Sequence, residues 1–128
     1  MVIDSSALIA LLLGQPEAQS FAQKIASHKR RLLSSVNALE TAIVIEAKKG
    51  TAGGQEYDVL LYTSDIQIIP FTKEHYQAAR SAWLIYGKGR HPAGLNIGDC
   101  CAYALSKQTG EGLLFKCNDL AQTDVLRA

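Results

Sequence analysis

The 128-residue sequence predicts an α/β fold: a single three-layer α/β/α domain over residues 1–128 with a mainly parallel central sheet. Two observations predict it. Short β-favouring runs alternate with stretches of helical period from one end of the chain to the other, the pattern of crossover-linked parallel strands. No internal repeat, low-complexity segment or linker interrupts that alternation, and a chain of this length buries roughly two thirds of its unfolded surface in one core.

Composition excludes several classes of function. With 48% hydrophobic residues, 20% charged residues and a formal net charge of +1, the chain carries no overall field for a nucleic acid or a membrane surface. An anionic substrate must therefore be met by local patches. The apolar run at residues 7–13 is too short to span a bilayer, and Met1-Val2-Ile3-Asp4 lacks the basic leader of a signal peptide, so a cytoplasmic location with no membrane partner is expected. Cys100, Cys101 and Cys117 form no CxxC pair and are odd in number, which argues against a disulfide framework or a zinc site.

The first strand, residues 1–3, ends on Asp4, and an apolar run of helical type follows it. Asp4 thus stands at the edge where open α/β sheets bind ligands, although Asp4, Ser5 and Ser6 are all good N-caps as well. Pro16 suits the first turn of a second helix carrying Ala18, Phe21 and Ile25, and the basic cluster His28 to Arg31 suits that helix's C-terminal end. A strand at 32–34 precedes a helix over 35–49 capped by Ser35 and stopped by Gly50. On that helix Val36, Ile43, Val44 and Ala47 share an arc with Glu40, which places a carboxylate toward the core, where it needs a cation or a hydrogen-bond donor. Glu46 lies at the flank, within reach of solvent or Lys49.

A loop at 51–54, a helix at 55–64 and a strand at 66–70 follow. Thr72 caps the next helix, whose Tyr76, Ala79, Trp83 and Tyr86 make a core stripe or a subunit interface, while His75 and Arg80 fall off the stripe toward the surface. The loop Gly87-Lys88-Gly89-Arg90-His91-Pro92-Ala93-Gly94 is not a P-loop, since no GK[ST] closes it. Its Lys88, Arg90 and His91 are either phosphate contacts or ordinary loop residues. Asn96 and Asp99 have the spacing of a capping box at the start of another helix, which runs to Gly110. A buried strand at 113–115 then leads to Lys116 and Asp119, and the tail at 123–126 can add a short edge strand.

Asp4 and Asp119 fall at strand ends, Asp99 in the first turn of one helix and Glu40 in the second turn of another, all at the same sheet edge. Two unit charges 4 Å apart repel by about 4 kcal/mol at an effective dielectric of 20, so such a cluster takes up protons or binds metal. Oxygen-only ligands suit Mg²⁺ or Mn²⁺, and a pair of such ions about 4 Å apart serves phosphodiester hydrolysis.

At this point the chain resembles a known family. Met1-Val2-Ile3-Asp4-Ser5-Ser6-Ala7, Leu39-Glu40-Thr41, the stretch from Gly87 to Cys100, and Leu113-Leu114-Phe115-Lys116 with Asp119 are similar to the motifs of VapC-type toxins in the PIN-domain ribonuclease family. The resemblance implies a PIN-like fold and a Mg²⁺- or Mn²⁺-dependent endoribonuclease, the toxin of a type II toxin–antitoxin pair, that cleaves RNA phosphodiester bonds with metal-activated water. It implies as partners an RNA substrate and a cognate VapB-type antitoxin, with a homodimer inside the larger complex. It assigns Asp4, Glu40, Asp99 and Asp119 to the acidic metal site, Ser6 to the hydroxyl beside the first aspartate, and Asp124 to a peripheral acidic position. Lys88, Arg90, His91 and Lys116 are the expected RNA-binding side chains. The sequence departs from the family pattern at Ser5, where threonine is common, at Cys117, where glycine usually precedes the last acidic motif, and at Leu120, where phenylalanine is usual.

Two other readings compete. A haloacid-dehalogenase-like phosphatase also places an aspartate at the end of strand one, and Lys116 would suit it. It wants a second acid where Ser6 stands, however, and leaves Glu40 unexplained. A non-enzymatic Mg²⁺-binding receiver module wants paired acids directly after strand one, where Ser5 and Ser6 follow Asp4.

Overall fold

The computed structural model describes residues 1–116 and 118–128; the expected departure at Cys117 lies outside the described residues. Four short strands, β1 (Val2–Ile3), β2 (Leu32–Ser34), β3 (Gln67–Ile69) and β4 (Leu113–Leu114), form one parallel sheet in the order β3-β2-β1-β4. The helices are α1 (Ser5–Leu12), α2 (Ala18–Ser27), α3 (Ser35–Thr63), α4 (Lys73–Tyr86), α5 (Ile97–Thr109) and the short α6 (Asn118–Ala121).

Strand side chains alternate between two cores, which is what makes the fold three-layered. Val2, Leu32 and Leu113 point to one face and pack with Ala79 and Ala82 of α4 and Ala102, Tyr103 and Leu105 of α5. Ile3, Leu33 and Leu114 point to the other and pack with Leu8 of α1, Phe21 and Ile25 of α2, and Ala38 and Tyr57 of α3. Each fully buried Leu or Ile here contributes roughly 1.5–3 kcal/mol of apolar transfer. The expected three-layer, parallel architecture is therefore the one observed. Among the described residues, no helix is long and apolar enough to cross a membrane.

The strand order matters for function. The chain winds from β1 through β2 to β3 and then returns to the opposite side of β1 to lay down β4, so the winding reverses beside β1. Ligands of open α/β sheets bind at such a reversal, outside the carboxyl ends of the strands. Asp4 leaves the sheet there, its N–H donating to Leu114 O at 2.9 Å.

Several local expectations are corrected. Ser34, not Ser35, caps α3, its hydroxyl accepting from Val36 N–H, while Ser35 Oγ accepts from Phe71 N–H. Pro16 lies in a turn ahead of α2, whose N-cap is Glu17. No loop follows Gly50: the backbone breaks at that single residue (φ 64°, ψ −159°) and helix resumes at once, with Gly53 and Gly54 buried in the second arm. There an added Cβ would sit 2.5 Å from Lys49 Cβ at Gly53 and would collide with Glu46 Oε1 at Gly54. The residues read as loop formers are the ones that let the two arms fold back closely.

The apolar arc of α3 is also corrected. Asn37, Ala38, Thr41 and Ile45 face the core, whereas Ile43 is 58% exposed and Val36 and Val44 are half-buried along an open groove. Glu40 therefore faces a cleft rather than the core. On α4, Ala79 and Ala82 are buried while Tyr76 and Trp83 stay exposed, and His75, expected at the surface, is buried edge-on against Phe71 with ring centroids 6.0 Å apart. The tail adds a single parallel bridge, Leu113 with Arg127, rather than a strand.

The dihedrals of Gly50 lie in a region essentially closed to residues with a Cβ. Gly50→Ala is expected to cost about 1–3 kcal/mol, read as a lower midpoint in chemical denaturation with the slope of the transition unchanged.

Candidate active site

Asp4 combines the two roles that its position suggests. With extended dihedrals (φ −80°, ψ 154°) it is the N-cap of α1, its Oδ2 accepting from Ser6 N at 3.0 Å and from Ser6 Oγ at 2.5 Å. The Ser6 hydroxyl in turn accepts from Lys116 N at 2.9 Å, which ties the cap to the chain leaving β4. Asp4 is only 3% exposed. Burial is the main reason its carboxyl is pushed from the ordinary 3.8 up to about 7; the two Ser6 bonds oppose that rise, and the negative fields of Asp99 and Glu40 add to it.

The other three acids reach the same place from different elements. Asp99, in the first turn of α5, completes the expected capping box: Asn96 Oδ1 accepts from Asp99 N at 2.9 Å, and Asp99 Oδ2 accepts from Asn96 N at 3.1 Å. Asp119 is half-buried in α6, just after β4. Glu40 projects from α3 over the start of α5, where a Cβ on Gly98 would lie 2.5 and 2.6 Å from its two carboxylate oxygens. The cation or donor expected beside Glu40 is not found among the described residues; half-exposure to the cleft takes its place. Asp4, Ser5, Ser6, Glu40, Asn96, Asp99 and Asp119, with Ile9 and Val44 as apolar walls, line one cleft of about 230 Å³.

A larger groove of about 390 Å³ lies between α4 and the start of α5, but its lining of Val36, Phe71, Tyr76, Ala79, Trp83 and Ile97 offers no carboxylate. Its lining also includes two thiols, which burial holds protonated by pushing Cys100 up to about 12 and Cys101 up to about 11. The four candidate acids line the smaller cleft. Among the described residues, no three carboxylate, imidazole or thiol groups are gathered closely enough to hold a metal ion as they stand. The cleft brings the donors to one place without closing them on a point.

Not every expected residue is brought there. Asp124 lies outside the cleft, accepting from Tyr103 Oη at 2.6 Å and from Lys107 Nζ at 3.0 Å; these bonds hold its carboxyl below the usual range and fasten the tail to α5. Arg90 donates to Leu84 O at 3.1 Å and lies 4.9 Å over the Trp83 ring, and His91 Nδ1 accepts from Ala93 N at 2.9 Å, so both shape the loop. Neither they nor Lys88, which is exposed, line the cleft. Lys116 Nζ donates to Gln15 Oε1 at 2.5 Å and lies 3.5 Å from Glu17. Sequence reasoning passed over Asn37 and Gly98. A glycine in the first turn of a helix was the available sign of a close approach at Gly98; nothing in the one-dimensional pattern marks Asn37.

The sequence model of the PIN domain matches residues 1–126. This chain belongs to the PIN-domain family. Among individual PIN-domain proteins it is 46% identical to ribonuclease VapC30 of Mycobacterium tuberculosis over 98% of this chain and 95% of that protein. It is likewise 46% identical to ribonuclease VapC of Mycolicibacterium smegmatis, over 98% and 97%. The PIN fold superposes on the crystal structure of M. tuberculosis VapC20, described as a sarcin–ricin loop cleaving toxin. That match has a TM-score of 0.79 at 15% identity and covers 99% of this chain and 97% of the other. A toxin–antitoxin complex from Klebsiella pneumoniae matches with a TM-score of 0.75 at 17% identity, over 99% and 95%.

Two measurements test the site's electrostatics and packing. Below about pH 4 Asp4 is protonated whether the chain is folded or not. Between 3.8 and about 7 the unfolded chain releases a proton that the folded chain keeps, so rising pH favours unfolding through that window. Asp4→Asn should thus gain stability relative to the parent from pH 4 to pH 8, by about 4 kcal/mol at most, in paired denaturation curves. Gly98→Ala should displace Glu40 and lower the reaction rate at least about tenfold, although alanine favours helix over glycine by about 0.5–1 kcal/mol. A Tm equal to the parent's or higher alongside that loss would separate the site effect from folding.

Proposed function

We propose that this PIN domain is a Mg²⁺- or Mn²⁺-dependent endoribonuclease, the toxin of a type II toxin–antitoxin pair acting in the cytoplasm. The observation that carries the reading is the convergence of Asp4, Glu40, Asp99 and Asp119 on one cleft at the reversal of the sheet, within a chain 46% identical to ribonucleases of the VapC group. Oxygen is the only donor that the four side chains offer, and Asp4 is held near neutrality by its burial and by the fields of two further acids. Such a donor set fits a hard divalent cation, and these four residues would hold it once drawn together around it. When bound, the cation supplies Lewis acidity toward the phosphodiester and its attacking water.

The rest is done by the chain itself. Ser6 fixes one oxygen of Asp4 with two hydrogen bonds, which leaves the other edge of that carboxylate for the cleft. Asn96 holds Asp99 through reciprocal cap bonds, so neither acid has to be ordered when substrate arrives. The exposed Lys88, and Lys116 once its ammonium leaves Gln15 and Glu17, supply positive charge for the RNA backbone. A VapB-type antitoxin is the expected protein partner, supported by the structural match to a toxin–antitoxin complex. A second copy of the chain is the expected cover for exposed apolar residues such as Trp83, Ile85 and Ile97.

Incubation of the purified chain with RNA tests this directly. Cleavage is expected with Mg²⁺ or Mn²⁺, to stop on chelation, and to fall at least about a hundredfold in Asp4→Asn and in Asp99→Asn. Cleavage that survives chelator, or that both variants retain, refutes the assignment. Independently of turnover, Mn²⁺ should raise Tm more at pH 8 than at pH 5, because the ligands must shed protons to bind it.

A further inference from the structure

Asn37 is fully buried and carries no charge, yet it touches every segment that brings an acid to the cleft except α6. Its Nδ2 donates to Ser5 Oγ at 3.0 Å and to Gly98 O at 3.1 Å. Ser5 directly follows Asp4, and Gly98 directly precedes Asp99 and is the residue on which the Glu40 carboxylate rests. Asn37 itself stands one helical turn before Glu40 on α3, and its main-chain carbonyl accepts from Ser5 Oγ at 3.3 Å and from Thr41 Oγ1 at 2.8 Å. One amide group therefore joins the start of α1, the acid-bearing turn of α3 and the first turn of α5.

Stability alone does not explain this residue. Asn37 Oδ1 is buried with no hydrogen-bond partner among the described residues, and a neutral polar atom left so is a net cost to folding. Its orientation is fixed nonetheless: turning the amide over would set Oδ1 against the Gly98 carbonyl, acceptor against acceptor. An apolar side chain of similar size would fill the same space without an orphaned oxygen. What such a side chain lacks is the two-way donor that fixes the distance between α1 and α5 across α3.

We propose that Asn37 is a positioning residue that sets the mutual spacing of Asp4, Glu40 and Asp99 by locking Ser5 and Gly98 to one amide nitrogen. This rests on the metal-dependent ribonuclease reading and adds to it a residue that touches neither metal nor RNA. Removing the lock loosens the three segments whose acids have to draw together around a hard cation.

The test compares the parent chain with Asn37→Leu and Ser5→Ala by three readouts: Mn²⁺ binding by calorimetry, kcat and KM on an RNA substrate, and thermal melting without metal. Asn37→Leu is expected to weaken Mn²⁺ binding and to lower kcat by about 10- to 100-fold. KM for RNA should stay within about threefold of the parent and the cooperative melt should be kept. Ser5→Ala, which removes one oxygen and almost no volume, should weaken Mn²⁺ binding less, by about three- to tenfold. The double variant should lose little beyond Asn37→Leu, since both cut the same link. If Asn37→Leu does not fold, Ser5→Ala tests the inference alone, with its own loss of Mn²⁺ affinity of about three- to tenfold. Mn²⁺ affinity and kcat within twofold of the parent in every folded variant overturn the inference, whatever happens to Tm. A parent chain that neither binds Mn²⁺ nor cleaves RNA overturns the ribonuclease reading and this inference with it.

Discussion

The buried carboxylate of Asp4 is the interaction on which the rest of the structure turns. A charge taken out of water and set beside two further acids is costly, and the same burial and fields raise its pKa to about 7. Nothing in an ordinary core requires it. The fold spends local structure on keeping the group where it is: a strand that ends one residue earlier, a helix whose first N–H groups need a cap, and a serine hydroxyl bridged to the outgoing chain of β4.

The sheet order explains why so few residues suffice. Because β4 returns to pair with β1, the ends of both strands and the start of α5 meet at one edge, and acids separated by about a hundred positions in sequence become neighbours without a long loop. Rigid caps then do what flexible side chains could not. Asp4 and Asp99 are each fixed by backbone hydrogen bonds at a helix start, so their placement follows from secondary structure rather than from packing chance.

This also explains what was legible in the sequence. Alternating strand and helix runs, an aspartate at a strand end and the Asn96–Asp99 spacing are local patterns; the last two appear where their patterns placed them, and the first holds apart from the loop at 51–54 and the tail strand. Glu40 was found for a partly mistaken reason: the arc of Val36, Ile43 and Val44 lines an open groove, while the true core face carries the polar Asn37 and Thr41. Hydrophobic periodicity reports where apolar residues cluster, not whether this chain covers them. Arg90 and His91 had the composition of a phosphate site, but their bonds to Leu84 and Ala93 are loop geometry that spacing does not reveal. Asn37 left no trace at all, because its partners lie 32 and 61 positions away.

Among the acids, Glu40 says most about purpose. Asp4 and Asp99 cap helices, so a purely structural account can keep both. Asp124 fastens the tail through Tyr103 and Lys107, and a structural account explains it fully. Glu40 caps nothing and pairs with no cation among the described residues, and it leans on a glycine that any larger residue would turn into a collision. Its charge adds to the rise at Asp4, and its carboxylate forbids a Cβ on the neighbouring helix, so neither contact is one that folding alone calls for. The same serine that replaces a second acid after Asp4 removes the phosphatase alternative, because Ser6 is engaged in clamping that carboxylate rather than in donating a proton to a leaving group.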